Sequence, residues 1–313
     1  MYFECMLDRR IELLRMIAHL GTVTEVAHAL YRSPSGVSRQ IQELAKELGV
    51  ELLQPEGRRV KLTPAGKALV EYADETHHRW EATRSRLTTT EEPAGSLTLV
   101  AHPSAVTALI APLLPQLTQE RPGVELHVIE DQAPGSFHRL TTGEAGLCLA
   151  VVEEGIPTRG DSRFHQTDLG QEPIDALLPV GHWLAQKTAV SLRELADEAW
   201  VVPAPGQASH YEVMTACHAA GFTPTVVHYA RDWAAVGALV HAAGAISLTS
   251  RFAPYHHPNT RQVALTGEPA PTRQLILATR AGSENDPLIR LVAAQLEDRA
   301  LSYSSWVGES TSE

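Results

Sequence analysis

Apolar residues at Leu7, Ile11, Leu14 and Ala18 follow the three-and-four spacing of one buried helix face, which predicts a helix from Leu7 to Leu20. Val23, Val26, Ala27 and Leu30 mark a second helix, with Thr22 placed to accept a backbone N–H as its N-cap. Ser33 caps a third. Pro34 occupies its first position, where the N–H it lacks would have no partner anyway. From there Val37, Ile41, Leu44 and Leu48 keep one stripe until Gly49 ends it. At about 100° per residue, Ser35, Ser38, Arg39 and Gln42 fall on the other side of that helix. Leu52 to Gln54 and Arg59 to Leu62 then read as two short strands around a Pro55-Glu56-Gly57-Arg58 turn, and Thr63 and Pro64 cap the next helix. Helix, tight connection, helix and hairpin in this order form the pattern of a winged helix-turn-helix.

The outward face of the third helix is short, hydroxyl-rich and basic. Small side chains let a helix approach base edges, and Arg and Gln form paired hydrogen bonds with guanine and adenine in the major groove. Taken alone, the same face is equally consistent with an ordinary solvated one. The hairpin tilts the balance, because it carries Arg58 and Arg59 to a tip that suits the minor groove and phosphates. The candidate contacts to double-stranded DNA are Ser33, Pro34, Ser35, Ser38, Arg39, Gln42, Arg58, Arg59 and Thr63. Charge distribution agrees. Residues 1–67 hold ten Lys or Arg against eight Asp or Glu, a net of +2 in a chain of −11, so the remainder carries −13 and should repel nucleic acid.

Beyond Ala65 a helix continues to about Leu87, and Leu69, Ala73, Thr76, Trp80, Thr83 and Leu87 recur as a heptad seam. This seam can pair two subunits or pack on its own domain. Thr88 to Gly95 reads as a polar hinge. After Ser96, short apolar runs alternate with helical stretches, the pattern of an α/β domain. Strands are predicted at Leu97–Ala101, Val124–Glu130, Leu147–Val152, Ile174–Leu178, Trp200–Val202, Thr225–Tyr229, Ala245–Leu248 and Gln274–Thr279. Helices are predicted at Ala105–Gln119, Gln207–Ala220, Asp232–Ala243 and Pro287–Tyr303. The expected divisions are residues 1–66 for the DNA module, 67–95 for linker helix and hinge, 96–303 for a large α/β domain dividing in two, and 304–313 for a polar tail.

Other chemistry is sparse. Neither His77-His78 nor His256-His257 has metal-site spacing, so no metal or other cofactor is expected. Cys5, Cys148 and Cys217 imply no disulfide framework and suggest a reduced, cytoplasmic chain; a switch between Cys148 and Cys217 stays open. No nucleophile elbow, phosphate loop or paired-carboxylate motif supports an enzyme. No signal peptide or membrane-spanning run is visible, which argues against a secreted solute-binding protein.

Residues Gly21 to Leu30, Ser33 to Ile41, Leu44 to Leu52 and Leu62 to Gly66 match in residues and spacing the LysR-type transcriptional regulators, and the chain resembles that family over nearly its full length. Pro34, Gly36 and Pro55 depart from the usual Gln, Ala or Thr, and Arg; the missing Gln removes one base reader. Gly146 replaces an expected Asp, and a Gly-x-Gly motif near Gly244 is displaced. The resemblance implies a linker helix joining dimers or tetramers and two α/β lobes like those of periplasmic binding proteins. It also implies crossovers near Thr167 and Thr266 and an effector cleft between the lobes. Ligands of open α/β sheets sit beyond strand carboxyl ends, often at helix N-termini that attract anions. His102, Pro103, Ser104 and Ala105 meet that description in the first lobe, with Asp131 and Gln132 alongside; Pro203, Gly206 and Gln207 meet it in the second. Ser104 is the leading candidate, because the family often places Ser or Thr there against an effector carboxylate, and the effector is expected to be anionic. The competing expectation is a constitutive DNA-binding protein whose α/β domain serves only association.

Overall fold

The computed structural model describes residues 7–56, 59–87, 93–253, 257–267 and 270–309. α1 (Arg9–Leu20) starts where the Asp8 carboxylate accepts the Arg10 N–H at 2.8 Å, and ends at Gly21, whose φ of +88° a side chain would oppose. α2 (Val23–Ala29) is capped by Thr22, which accepts the Glu25 N–H at 3.1 Å, and α3 (Pro34–Leu48) by Ser33, which accepts the Gly36 N–H at 3.2 Å. Leu13, Leu14, Ile17, Val26, Val37, Ile41 and Leu44 meet in one buried cluster with Leu52. The predicted stripe fails at one position: Leu48 is 49% exposed, because the last turn of α3 overhangs that cluster. β1 (Leu53–Glu56) and β2 (Arg59–Leu62) pair antiparallel with Pro55 opposite Val60 and Glu56 opposite Arg59, so the wing strands run two residues past the expected turn start. Gly57 and Arg58 lie outside the described residues.

α4 (Pro64–Leu87) divides its seam. Leu69 and Ala73 turn inward, and Val70, off the predicted seam, joins the N-terminal core; at the far end Leu87 is exposed. The middle of α4 packs on the α/β domain of the same chain. There the Ser283 hydroxyl donates to buried Glu81 at 2.9 Å, and a Cβ on Gly282 would stand 2.5 Å from the His78 carbonyl oxygen. Arg15, buried on α1, binds Glu12 at 2.6 Å and Asp74 of α4 at 3.4 Å and donates to the Thr141 carbonyl of the α/β domain at 3.4 Å. The DNA module, linker and first lobe are therefore cross-linked by charged groups that satisfy one another.

The α/β region runs β3 (Gly95–Ala101), α5 (Pro103–Ala105), a π-turn at Val106–Ile110, α6 (Leu113–Glu120), β4 (Val124–Glu130), α7 (Gly135–Thr142) and β5 (Leu147–Val151). It continues with β6 (Phe164–Pro179), β7 (Ala189–Ser191), β8 (Ala199–Pro203), α8 (Ala208–Ala219), β9 (Thr225–Ala230), α9 (Trp233–Ala243), β10 (Ser247–Ser250), β11 (Thr260–Thr266), β12 (Thr272–Arg280) and α10 (Pro287–Glu309). A mixed sheet follows the order β4-β3-β5-β12-β6-β11-β7, with β10 also on β6. The parallel pair β8-β9 joins it through a bridge between Trp200 and Ile246. Residues 164–173 of β6 pair with β12 in the first lobe, and residues 174–179 pair with β10 and β11 in the second.

The first crossover thus lies at Pro173, not near Thr167, which pairs with Leu277 inside the first lobe. Pro173 brings no break, so the strand passes between lobes where a sequence pattern suggests an ending. The return falls between Thr266 and Thr272, close to expectation. β7, β11 and α7 escape the sequence reading: β7 is short, and β11 and α7 are too polar for a clear run. The expected Ala105–Gln119 helix is broken by the π-turn ahead of Pro112, β10 starts two residues late, and α10 extends from Tyr303 to Glu309 into the expected tail.

Candidate nucleic-acid interface and interlobe cavity

α3 presents Ser35, Arg39 and Gln42 to solvent, with Ser38 half-buried beside them. The fold leaves this side free because Val37, Ile41 and Leu44 fill the opposite one. Arg39 is 81% exposed and held by Glu43 at 2.9 Å, one turn along. Such an exposed pair is weak, so the guanidinium can leave it for a guanine edge at little cost. Gly36 sits where a Cβ would approach the Ser33 hydroxyl to 3.0 Å; Ser33 is thus occupied as a cap, with the Ser35 hydroxyl 3.4 Å away. Pro34 is exposed at the first turn.

Thr63 needs correction as a DNA contact. It is buried, donates its hydroxyl to the Glu51 carbonyl and accepts the Gly66 N–H at 3.0 Å, so it caps α4 and ties the wing to it. Arg58 and the Arg59 side chain lie outside the described residues, although the Arg59 backbone is part of β2. Exposed Lys61, 3.4 Å from Glu56, is a wing cation that the sequence reading passed over.

A cavity of about 1030 Å³ opens between the lobes, bordered by Gln132, Glu153, Gly206, Gln207, Glu212 and Arg273 among others. Gln132, Gly206 and Gln207 therefore reach the expected place. Asp131 instead binds Arg139 at 2.9 Å and lines a separate space between α7 and the DNA module. Pro203 is buried, its carbonyl 2.8 Å from His210 Nδ1. Both corrections share a cause: Asp131, just past β4, and Pro203, at the end of β8, have the side chain or carbonyl already used within the lobe.

His102, Ser104 and Ala105 are buried, and Pro103 is half-buried. The Ser104 hydroxyl lies 3.0 Å from His102 Nδ1 and 3.5 Å from Arg273 Nη2, and it hydrogen-bonds the carboxyl of Glu172. Glu172 is fully buried on β6; it accepts from Arg273 at 2.8 Å and from the Ser250 hydroxyl of the second lobe. Burial raises the Glu172 carboxyl, against the attraction of Arg273 and the hydrogen bond from Ser104. Burial, with Arg273 adding to it, lowers His102 to about 3, so its ring is neutral near pH 7. This hub joins α5, β6, β10 and β12, elements of both lobes. Ser104 is legible in the sequence, but Glu172, Arg273, Ser250, Glu153 and Glu212 are not; Glu172 and Arg273 stand just ahead of the apolar runs Ile174–Leu178 and Gln274–Thr279, where a charge reads as a strand boundary.

Cys148 and Cys217 are buried in different lobes, on β5 and α8, and burial pushes each thiol up to about 12. They do not form a thiol pair.

The family model described as the LysR substrate binding domain matches residues 90–301, and the one described as the bacterial regulatory helix-turn-helix protein, lysR family, matches residues 9–67. The uncharacterized HTH-type transcriptional regulator YwbI of Bacillus subtilis is 28% identical over 74% of this chain and 76% of its own. The HTH-type transcriptional activator IlvY of Salmonella typhimurium is 33% identical over 42% of this chain and 45% of its own. A full-length OxyR variant of Pseudomonas aeruginosa superposes with a TM-score of 0.62 at 21% identity, covering 93% of each chain, which establishes likeness of fold. No helix among the described residues is long and apolar enough to cross a membrane.

Proposed function

The chain belongs to the LysR family of transcriptional regulators, and from that premise we propose that α3 reads an operator through Ser35, Ser38, Arg39 and Gln42 while the wing holds the flanking backbone. The observation that carries this reading is the free polar side of α3, with Arg39 standing 81% exposed on a helix whose other side is fully packed. One such helix reads one half-site, so two subunits bind a two-fold symmetric site, and the exposed end of α4 around Leu87 is the surface offered for their pairing. A small-molecule effector in the interlobe cavity acts by favouring one lobe arrangement over another. An acidic group on that effector, expected from Ser104, finds Ser104 already engaged with Glu172, and is better served by Arg273 and the start of α8, just after Gly206 and the N-cap Gln207. A regulatory rather than enzymatic role and a cytoplasmic location belong to the same reading.

Footprinting of the DNA upstream of the chain's own gene, with competitor DNA at physiological salt, tests it. A roughly symmetric protected site that survives competitor supports a specific regulator. Binding that competitor abolishes everywhere in the genome would refute base reading by α3.

A further inference from the structure

The interlobe cavity is acidic. Glu153, Glu154 and Glu212 line it, and Arg273 is the one cationic side chain among the described residues that do. Arg273 is already committed: its Nη2 lies 2.8 Å from Glu172, whereas Glu212 is 3.8 Å from its Nη1. Glu153 accepts only a weak backbone N–H from Ala133, at 3.3 Å. Both Glu153 and Glu212 are raised by burial, and Glu212 further disfavours the ionised form of Glu153. Arg273 offsets this for both, yet it is shared among Glu172, Glu212 and Glu153, so two half-buried carboxylates face one space with a single, divided cation.

A second, independent feature points to what fills that space. Arg273 is only 9% exposed, and its Nε finds no hydrogen-bond acceptor among the described residues although the side chain borders the cavity. That Nε is closed off from the cavity, so an oxygen acceptor entering there satisfies it only if the guanidinium turns toward the opening. Gln207, the N-cap of α8, borders the same space; its side chain accepts the Ala204 N–H at 3.1 Å and donates to the Arg231 carbonyl at 3.4 Å, so what that end offers is the first backbone N–H groups of α8.

We propose that the interlobe cavity takes a zwitterionic small molecule, its protonated amine held by Glu153 and Glu212 and its acidic or carbonyl oxygen by Arg273 and the start of α8. This rests on the reading of the cavity as the effector site and adds the ligand class. The aromatic ring of Tyr211, beside Glu212 and also on the cavity wall, suits the same cation. Glu172 excludes a plain dianion, because its carboxylate already takes up the Ser104 hydroxyl and one arm of Arg273.

Calorimetric titration of the purified full-length protein with γ-aminobutyrate and with succinate, two probes of similar length, tests the assignment. γ-Aminobutyrate should bind saturably and succinate at least about tenfold more weakly. Glu212→Gln and Glu153→Gln should each weaken γ-aminobutyrate by about tenfold or more, and Glu212→Asp should recover part of the loss, with circular dichroism confirming the fold of each variant. The proposal is overturned if succinate binds as tightly, if γ-aminobutyrate does not saturate, or if both Gln variants bind it as the parent does. Succinate binding with an intact operator footprint would leave the regulator standing and remove only the amine subsite, whereas loss of the footprint would strike the regulator itself.

Discussion

Arg273 on β12 and Glu172 on β6 form an ion pair of 2.8 Å, with the glutamate fully buried, hydrogen-bonded to Ser104 within the first lobe and to Ser250 across the lobe boundary. Charges so placed are held by their partners rather than by water, which makes the pair sensitive to loss of either half. Arg273→Met should lower stability by about 3–5 kcal/mol, since it strands a buried carboxylate. Adding Glu172→Gln to that variant should recover part of the loss. Chemical denaturation of the single and double variants measures both, and a single variant as stable as the parent would remove the pair from its structural role.

Glu153 and Glu212 set a dependence on pH. Burial raises both carboxyls above the ordinary 4.5, so their ionisation costs stability in the folded chain. The contribution of each is fully present below the unfolded value and is lost as pH rises through the folded one. Glu212→Gln, which cannot ionise, should therefore match the parent in acid and melt higher than it near neutrality. Melting curves across that range give the difference directly, and a gap that closed as pH rose would contradict the direction.

Arg39→Ala should reduce discrimination between matched and mismatched operators by about 1–3 kcal/mol, the worth of one paired contact to a base. Glu43→Gln should tighten operator binding slightly, because it frees Arg39 from its neighbour at 2.9 Å. Competitive gel shifts with both sites read the two effects. Equal loss at both sites in the Arg39 variant would make that residue a phosphate contact instead.

Gly282→Ala places a methyl group 2.5 Å from the His78 carbonyl oxygen, at a φ of +91° that already favours glycine. The linker helix must then shift from the first lobe, at a cost of about 1–3 kcal/mol. Increased protease cleavage around α4, with little change in the second lobe, is the expected sign.

The DNA module was nearly complete in the sequence because its signals are local. Thr22, Ser33 and Gly49 mark helix ends, and the stripe from Val37 to Leu44 marks the buried side. Thr63 was misread because a hydroxyl before Pro64 looks the same whether it faces DNA or the Glu51 carbonyl. The interlobe hub was hidden for the opposite reason. Glu172 and Arg273 are 101 residues apart and meet only because β6 and β12 pair in register, Arg273 opposite Glu172, which no local pattern reveals. Ser104 was legible from its strand-to-helix position, but its partner was not.

β6 crosses from one lobe to the other as a single strand of sixteen residues, bonded to β12 on one side of Pro173 and to β10 and β11 on the other. Its ladder has one irregularity, where Leu275 faces Gly170 and Ile276 faces Asp168, so that Leu169 is skipped and Gly170 takes a φ of +116°. The lobes are therefore two ends of one elastic plate rather than two leaves on a pin. Whatever bends one lobe against the other must therefore pass along β6 itself, past Pro173 and the buried Glu172 beside it.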